Sequence, residues 1–453
     1  MTNAQETAPI HPGHALSTKP TRVLGVLSLV LIGLAFNGVM NIFTSYGLVT
    51  QATDGHLAAG YAFATLAMAV TAVSYISMSR IVKKGGSAYA YTEKAFGSRA
   101  GFMVGWTILL DYLFTPMVCF LLLGIYLNAQ FPSVPVWLFT LLGIVITFIA
   151  NLLGTKFVSR AGGALISTTF VIIVVFVLLG LFHSGASFAD GMASLVPTPG
   201  ELPIVFSGVS LLAVSFAGFD VISTMSEEAK DPGRTIPRAT LITVLVMGAG
   251  FVAISFVGAM VEPGTDFANV DAAGLEVMKA VGGPLLGAAF LIVYICSLMA
   301  SALVSQASAA RIIYTMGRDG VLPKRLFGTL VTKSKIPMGG FIVASLIGLI
   351  ALFVTVENSF IMLAFGMLVA FCAVNLATFK YFIFDLHKRG FGNLVRYGVL
   401  PLVGFGMTMW LWSTLSGATF VFGLSWVAVG FAYLAYSTRF FRTSPPVIDF
   451  SEV

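Results

Sequence analysis

The chain has 453 residues, of which 57% are apolar and only 10% are charged. Because soluble globular proteins carry about 25% charged residues, this composition excludes an ordinary soluble protein and indicates one surrounded by membrane lipid. The net charge of +6 does not point to a nucleic-acid partner, because the basic residues lie in short clusters between apolar runs.

The apolar runs predict about twelve membrane spans, since one span needs roughly 20 mostly apolar residues. In chain order the predicted spans cover residues 25–49, 57–79, 100–129, 135–152, 162–182, 203–226, 237–261, 283–315, 338–355, 358–384, 395–414 and 417–438. Lipid offers no partner for a free backbone N–H or C=O, so the fold class is predicted as all-α. Residues 1–22 lack a signal-peptide core and are predicted as a disordered cytoplasmic tail, and residues 439–453 as a second cytoplasmic tail.

The basic residues predict the topology. With twelve spans, 24 of the 25 Lys and Arg residues fall on one side of the membrane, and only Lys279 falls on the other. Cytoplasmic loops are the ones enriched in Lys and Arg. We therefore expect a multi-pass protein of the bacterial inner membrane with both termini in the cytoplasm.

Two spans contain a break signal near their middle. Span one is interrupted at residues 37–41, Asn-Gly-Val-Met-Asn, and span six at residues 215–220, Ser-Phe-Ala-Gly-Phe-Asp. Interruptions at corresponding positions in two halves of a chain are typical of transporters built on inverted repeats. The main-chain groups that a break frees can bind a solute or an ion where they line a cavity.

Ionisable residues at membrane depth strengthen this reading. Asp111 lies about ten residues into span three, roughly 15 Å from its cytoplasmic end, and Asp220 follows the break of span six at similar depth. A carboxylate at this depth is costly unless it is paired, hydrated or protonated, so both are candidate functional residues. Ser297, Ser301, Ser305 and Ser308 share one face of span eight; we favour a helix–helix seam over a binding site there.

Three motifs resemble those of the amino acid–polyamine–organocation superfamily. They are Phe216-Ala217-Gly218-Phe219-Asp220 followed by Glu227-Glu228, Asp231-Pro232, Arg234 and Pro237; Ala310-Arg311 with Tyr314, residues 316–320 and Leu322-Pro323; and Gly85-Gly86-Ser87-Ala88-Tyr89. Within the superfamily the chain most resembles bacterial putrescine importers. This likeness rests on residues 101–106 and 110–114, Ser226-Glu227-Glu228, Phe365-Gly366 and residues 369–371.

The resemblance implies a LeuT-like fold of two inverted five-span repeats, 23–182 and 203–384, followed by two extra spans in 393–438. It also implies a substrate site between spans one, three, six, eight and ten, and uptake driven by an ion gradient. No cofactor and no metal are implied. The coupling ion stays open between a proton and sodium. Some proton-coupled relatives carry a lysine in span five, and the matching residues here, Ser167-Thr168-Thr169, include none.

Two departures from the family pattern bear on the substrate. Val39-Met40-Asn41 stands where many amino acid permeases have Gly-Ser-Gly, which weakens the case for a plain α-amino acid. Thr44 stands where the putrescine importers carry an acidic residue. The second ammonium group of a diamine substrate would therefore have one fewer candidate carboxylate to bind. A monoamine is therefore as credible a substrate as a diamine.

The predicted substrate is a small cationic amine. Asp220 and Asp111 would compensate the ammonium, and Phe216, Phe219 and Trp106 would supply cation–π or apolar walls. The full predicted substrate site comprises Asn37, Gly38, Val39, Met40, Asn41, Thr44, Trp106, Asp111, Tyr112, Phe216, Ala217, Gly218, Phe219, Asp220, Ser301 and Phe365. A cytoplasmic gating network is predicted for Glu227, Glu228, Arg234 and Arg311.

Three other functions stay open at this point. An amino acid permease or exchanger would share the same framework. A membrane enzyme is disfavoured, because the chain has no His-Glu-x-x-His, no nucleophile elbow and no phosphate loop. A sensor without transport would look the same in sequence, although no appended signalling domain supports it. The sequence leaves the oligomeric state open.

Overall fold

The computed structural model describes residues 22–36, 39–83, 87–153, 156–318, 324–330, 337–413, 415, 417–438, 440 and 442. Across these ranges the regular structure is helical, apart from one isolated bridge between Leu24 and Ala229. The predicted all-α class is therefore confirmed. The predicted N-terminal tail and most of the predicted C-terminal tail lie outside the described residues.

The first half of the chain contains five helical regions at the predicted places. Span one consists of Val26–Phe36, the 3-10 segment Val39–Thr44 and Tyr46–Ala52. Spans two to five are the helices Leu57–Ser79, Ser98–Gln130, Val136–Leu153 and Lys156–Leu181. A short helix, Ser87–Phe96, precedes span three, and another, Phe188–Leu195, follows span five.

The second half begins with span six, which consists of Leu202–Ala213 and the 3-10 segments Val214–Phe216 and Val221–Glu227. Span seven is Pro232–Val261, and span eight lies in Ala273–Arg318, which is kinked at Gly282 and Gly283. Spans nine to twelve are Met338–Leu352, Val356–Asp385, Phe391–Ser413 and Gly417–Ser437. The 3-10 turn Val270–Ala272 precedes span eight, and the short helix Lys324–Phe327 follows it.

Seven of the described helices are long and apolar enough to cross a membrane, or eight when Leu202–Val209 and Leu211–Ser226, bent by 45°, count as one span. Val136–Leu152, Leu165–Leu181 and Met338–Leu352 are apolar but shorter. The chain is thus a multi-pass membrane protein. The number twelve and the inverted repeats stay predictions.

Span three is the central helix of the packing. Most of its side chains are buried, and it packs against spans four, eight and ten and against the helix Ser87–Phe96. One close contact with span ten is at Gly366, where an added Cβ would lie 2.6 Å from the carbonyl oxygen of Thr107. Only glycine lets two helix backbones meet this closely. The site residues of span three are therefore held at a fixed distance from span ten.

On the face opposite the basic loops, His56 joins three elements. Its Nδ1 lies 2.8 Å from the carbonyl oxygen of Ala193, and its Nε2 lies 3.4 Å from a carboxylate oxygen of Glu201. Hydrogen bonds from Thr198, with a smaller contribution from His56, lower the pKa of Glu201. The start of span two, the helix Phe188–Leu195 and the start of span six are thereby tied together.

Candidate functional site

The break in span six is a change of backbone conformation around Gly218. The helix ends in the 3-10 segment Val214–Phe216, after which Ala217 is extended, with φ −52° and ψ 143°. Gly218 follows with φ +110°, a conformation that side chains with a Cβ rarely adopt. The Gly218 N–H, freed from the helix, donates to Oδ1 of Asp220 at 3.1 Å. The break thus positions the Asp220 carboxylate directly.

The break in span one lies between Phe36 and Tyr46. Thr44 Oγ1 donates to Oδ1 of Asn41 at 2.8 Å and lies 3.0 Å from the hydroxyl of Tyr294 in span eight. Met40 is buried, and only the backbone of Val39 is described. Two other predicted site residues, Asn37 and Gly38, lie outside the described residues. The described part of this break therefore presents polar side chains next to span eight.

The two broken spans lie beside each other. At the end that carries the basic loops, the Leu24 N–H donates to the carbonyl of Glu228 and its carbonyl accepts from Lys230, both at 3.0 Å. Deeper in the protein, the hydroxyl of Tyr61 in span two lies 3.2 Å from that of Ser215 in the span six break. These bonds tie the segment just before span one to the end of span six, and span two to the break in span six.

The two carboxyl groups predicted at membrane depth are brought together. Asp111 accepts a hydrogen bond from Thr115 at 3.2 Å and is close enough to Asp220 for their charges to interact. Both aspartates keep part of their surface accessible, whereas Tyr112 and Phe219 next to them are buried. Partial exposure this deep in the packing indicates open space beside both side chains. Two carboxyl groups placed in this way can compensate a cation.

Aromatic rings surround the Asp220 side of this space. Phe219 stacks on Phe371 of span ten with ring centroids 5.3 Å apart and meets the edge of Tyr75 at 5.3 Å. Phe216 turns to span seven instead, where it packs edge-on against Phe251 at 5.2 Å. Phe219 thus packs against spans two and ten, whereas Phe216 packs against span seven.

Two other predicted site residues, Trp106 and Phe365, face a different part of the protein. The indole N–H of Trp106 donates to the carbonyl of Trp426 in span twelve, and the Trp426 indole donates back to the carbonyl of Trp106, both at 2.9 Å. Phe365 packs on Trp412 and so tightly on Gly423 of span twelve that a Cβ there would lie 2.3 Å from its ring. The structure therefore assigns both to the contact with spans eleven and twelve. The positions of Trp106 and Phe365 in the sequence predict how far along their spans they lie, but not which neighbouring helix their side chains face.

This placement predicts that Trp106→Phe weakens the fold and leaves substrate affinity unchanged. The variant loses the indole N–H that donates to the Trp426 carbonyl, and the loss of one such hydrogen bond costs about 0.5–1.5 kcal/mol. The checks are the melting temperature of the purified variant and the KM of uptake. A raised KM with an unchanged melting temperature would restore Trp106 to the substrate site.

Ser301 of span eight keeps part of its surface accessible and lies beside Cys119 of span three, one turn from Thr115. It therefore stands near the Asp111 side of the space. No group of three or more His, Cys, Asp or Glu side chains in the described ranges is arranged to hold a metal.

The predicted gating network has a different local arrangement where it is described. Arg234 forms an exposed ion pair with Asp231, three residues before it, at 3.8 Å. Glu228 is exposed and meets Leu24 through its main chain, and Arg311 is exposed on span eight. The side chain of Glu227 lies outside the described residues. A closing role for these charges stays a prediction.

Sequence reasoning missed two tyrosines near Asp220. Tyr75 of span two and Tyr91 of the helix Ser87–Phe96 meet edge to face at 5.8 Å. Ser87, which begins that helix, donates its hydroxyl to the carbonyl of Asp220 at 3.2 Å. The sequence did contain a signal for these residues, because the hydroxyl of a tyrosine in an apolar span needs a hydrogen-bond partner. Only the fold, however, places these residues beside the break in span six.

Comparison with known proteins supports the resemblance to the amino acid–polyamine–organocation superfamily along nearly the whole chain. The family model described as amino acid permease matches residues 27–439. The chain is 35% identical over 433 residues to the low-affinity putrescine importer PlaP of Escherichia coli (strain K12), covering 94% of this chain and 95% of that protein. It is 25% identical to the branched-chain amino acid permease BcaP of Lactococcus lactis, covering 95% and 96%, respectively. It is 24% identical to the methylthioribose transporter of Bacillus subtilis, covering 92% and 94%.

A match of this extent, on a helical chain with many apolar helices, settles the class of protein. The bacterial relatives and the multi-pass architecture place it in the inner membrane. The chain belongs to the amino acid permease family, and it is a transporter of small molecules and not an enzyme.

Proposed function

We propose that the protein imports a small cationic amine by secondary active transport. The single observation that carries this proposal is that two partly accessible carboxyl groups deep in the packing, Asp111 of span three and Asp220 at the break of span six, lie within electrostatic range of each other. A carboxylate in the membrane interior is costly unless it is compensated. A substrate ammonium supplies that compensation from outside the protein.

The first relative reported above supports the amine, since it is a putrescine importer. The proposed substrates are putrescine-like diamines and monoamines. Thr44 hydrogen-bonds to Asn41 and adds no negative charge at span one, so one ammonium group is the minimum that the site must bind.

The second candidate is an amino acid permease or exchanger. It is supported by the relative that is a branched-chain amino acid permease and by the broken spans, whose free N–H groups can hold a carboxylate. Against it stands the buried, bulky Met40 at the break of span one, which hinders a close approach of substrate to the backbone.

In the proposed mechanism the space beside Asp111 and Asp220 opens alternately to the two sides of the membrane. The backbone link between Leu24 and the end of span six makes the two broken spans move together. Both termini lie in the cytoplasm, following the basic loops. The inverted repeats comprise 23–182 and 203–384, and a proton or sodium gradient drives uptake. Imposing each gradient separately on proteoliposomes distinguishes the two ions.

The test is thermal stabilisation of the purified protein by putrescine, monoamines, neutral amino acids and basic amino acids. A ligand that binds only the folded state at 100 times its Kd stabilises by about 2.7 kcal/mol, which raises the melting temperature. We expect a concentration-dependent rise with amines and none with neutral amino acids. A rise with neutral amino acids alone would replace the amine proposal by the permease one.

A further inference from the structure

The turn between spans ten and eleven stays close to the membrane surface. Span ten ends at Asp385 and span eleven begins at Phe391, so residues 386–390 alone connect two membrane-spanning segments. A connection of this length, going out and back, rises about 10 Å at most, which is comparable to the lipid headgroup layer. The turn lies on the side of the basic loops, which the topology predicts to be cytoplasmic.

Exposed apolar side chains flank this turn on both sides. Phe384, just before it, is 57% exposed, and Phe391, just after it, is 85% exposed. Leu386 and Leu394 are exposed as well. Large apolar side chains beside the polar groups of a membrane-surface segment insert at the boundary between headgroups and acyl chains. The turn is therefore placed where it meets lipid headgroups directly.

Two cations are held in fixed positions at this turn. The Lys388 N–H donates to the carbonyl of Phe382 at 3.0 Å, and the Lys388 ammonium lies 5.4 Å from the Phe382 ring centroid and 5.6 Å from that of Tyr397. The Arg396 guanidinium lies 5.4 Å from the Tyr397 ring centroid. Phe382 and Tyr397 are buried and stack at 4.1 Å. One rigid aromatic pair therefore supports both cations, and cation–π attraction keeps them there.

The positive charge of the turn is not compensated by the protein. Asp385, the one acidic residue among residues 380–396, already pairs with Lys380 at 3.2 Å. None of the ion pairs formed between described residues includes Lys388, Arg389 or Arg396. Three cations beside exposed apolar side chains, with no carboxylate to pair with, are complementary to an anionic membrane surface.

We propose that residues 384–396 form a binding site for an anionic phospholipid. Lys388 and Arg396 bind the headgroup phosphate, Arg396 through its planar fork and Lys388 as a point charge. Phe391 inserts beside the acyl chains. A zwitterionic headgroup carries its own ammonium and gains less from these cations. The site acts at the surface of the protein and does not depend on which substrate is transported.

The test is the melting temperature of the purified protein in neutral detergent, measured while phosphatidylglycerol or phosphatidylcholine with the same acyl chains is added. A ligand that binds the folded state raises the melting temperature with its concentration. We expect phosphatidylglycerol to give the larger rise at the lower concentration. High salt should reduce the difference between the two lipids, because it screens exposed charges.

The decisive variant is Lys388→Gln combined with Arg396→Gln. One cation near an anionic membrane surface is worth about a fivefold gain in affinity, so the double variant should bind phosphatidylglycerol on the order of 30-fold more weakly. Its response to phosphatidylcholine should change little. Each rise is compared with the same variant's value without lipid. If the double variant does not fold, Lys388→Gln alone decides, with an expected loss of about fivefold.

The matched control is Lys324→Gln combined with Arg325→Gln. Both residues are exposed cations of the short helix Lys324–Phe327, on the same side of the membrane. This variant loses the same charge and should keep the full response to phosphatidylglycerol. A second variant, Phe391→Ser, should weaken the response to both lipids, because it removes an apolar contact and no charge.

Four results would overturn the site. They are an equal response of the unaltered protein to the two lipids, a full response to phosphatidylglycerol in the double variant, and an equal loss in the control, which would assign the effect to overall surface charge. The fourth is the same stabilisation by glycerol phosphate, which would make the turn a site for a free anion instead of a lipid. Amine binding is measured separately, so a failure of the proposed transport function leaves these results readable.

Discussion

Replacing Asp220 by asparagine is expected to abolish amine uptake while the protein still accumulates in the membrane. Asparagine has the same size and keeps an oxygen that can accept the Gly218 N–H, so the break in span six should persist. The variant loses only the negative charge. Truncating one partner of a buried charge pair costs about 2–5 kcal/mol, which corresponds to a loss of affinity of about 30-fold to 5,000-fold. Uptake of labelled putrescine or butylamine by cells or proteoliposomes measures the effect.

The matched control is Asp266→Asn, because Asp266 is an exposed residue of the loop between spans seven and eight. This variant should transport at the normal rate. Normal uptake by Asp220→Asn, with equal amounts of both variants in the membrane, would remove Asp220 from substrate binding. Asp111 would then be the only carboxylate left to hold the ammonium.

Replacing Gly366 by leucine is expected to prevent the protein from folding stably. An added Cβ alone would lie 2.6 Å from the backbone oxygen of Thr107, and a backbone atom cannot turn away as a side chain does. Overpacking by even one group costs about 1–3 kcal/mol, and leucine adds three more carbons at the same place. Spans three and ten would be forced apart. The measurement is the amount of monodisperse protein recovered in detergent and its melting temperature.

Gly406→Leu in span eleven is the matched control for this effect. A Cβ on Gly406 meets nothing within 4 Å, so leucine there has room. Leucine also has a higher helix propensity than glycine by nearly 1 kcal/mol, so this variant should be at least as stable as the unaltered protein. If equal amounts of monodisperse protein were recovered for the two variants, the close contact between spans three and ten would not be critical for folding.

Several features of the fold could be read directly from the chain. The predicted span 57–79 coincides at both ends with the helix Leu57–Ser79. The residues predicted to break span six, 215–220, contain the extended Ala217 and the positive φ of Gly218. Such features are local, because glycine, polar residues and apolar run length act on the backbone within a few residues. The depths of Asp111 and Asp220 follow from helix rise in the same way.

The directions of side chains could not be read in this way. Trp106 and Asp111 lie five residues apart on span three, yet Trp106 contacts Trp426 while Asp111 lies within electrostatic range of Asp220. In a helix surrounded by protein and lipid, nearly every position is apolar, so no polar face marks the outside. The hydrophobic pattern that orients a helix in a soluble protein is therefore weak here.

The sequence by itself determined the class of the protein, the places of its helices, the breaks in the first and sixth spans and the membrane depth of two carboxyl groups. Each of these depends on composition or on neighbours along the chain. The tertiary structure alone decided which groups come near each other: Asp111 lies within electrostatic range of Asp220, Tyr75 packs on Phe219, and Trp106 and Phe365 contact spans eleven and twelve. These contacts join residues up to 320 positions apart, and they arise from close packing between helices, which no local pattern encodes.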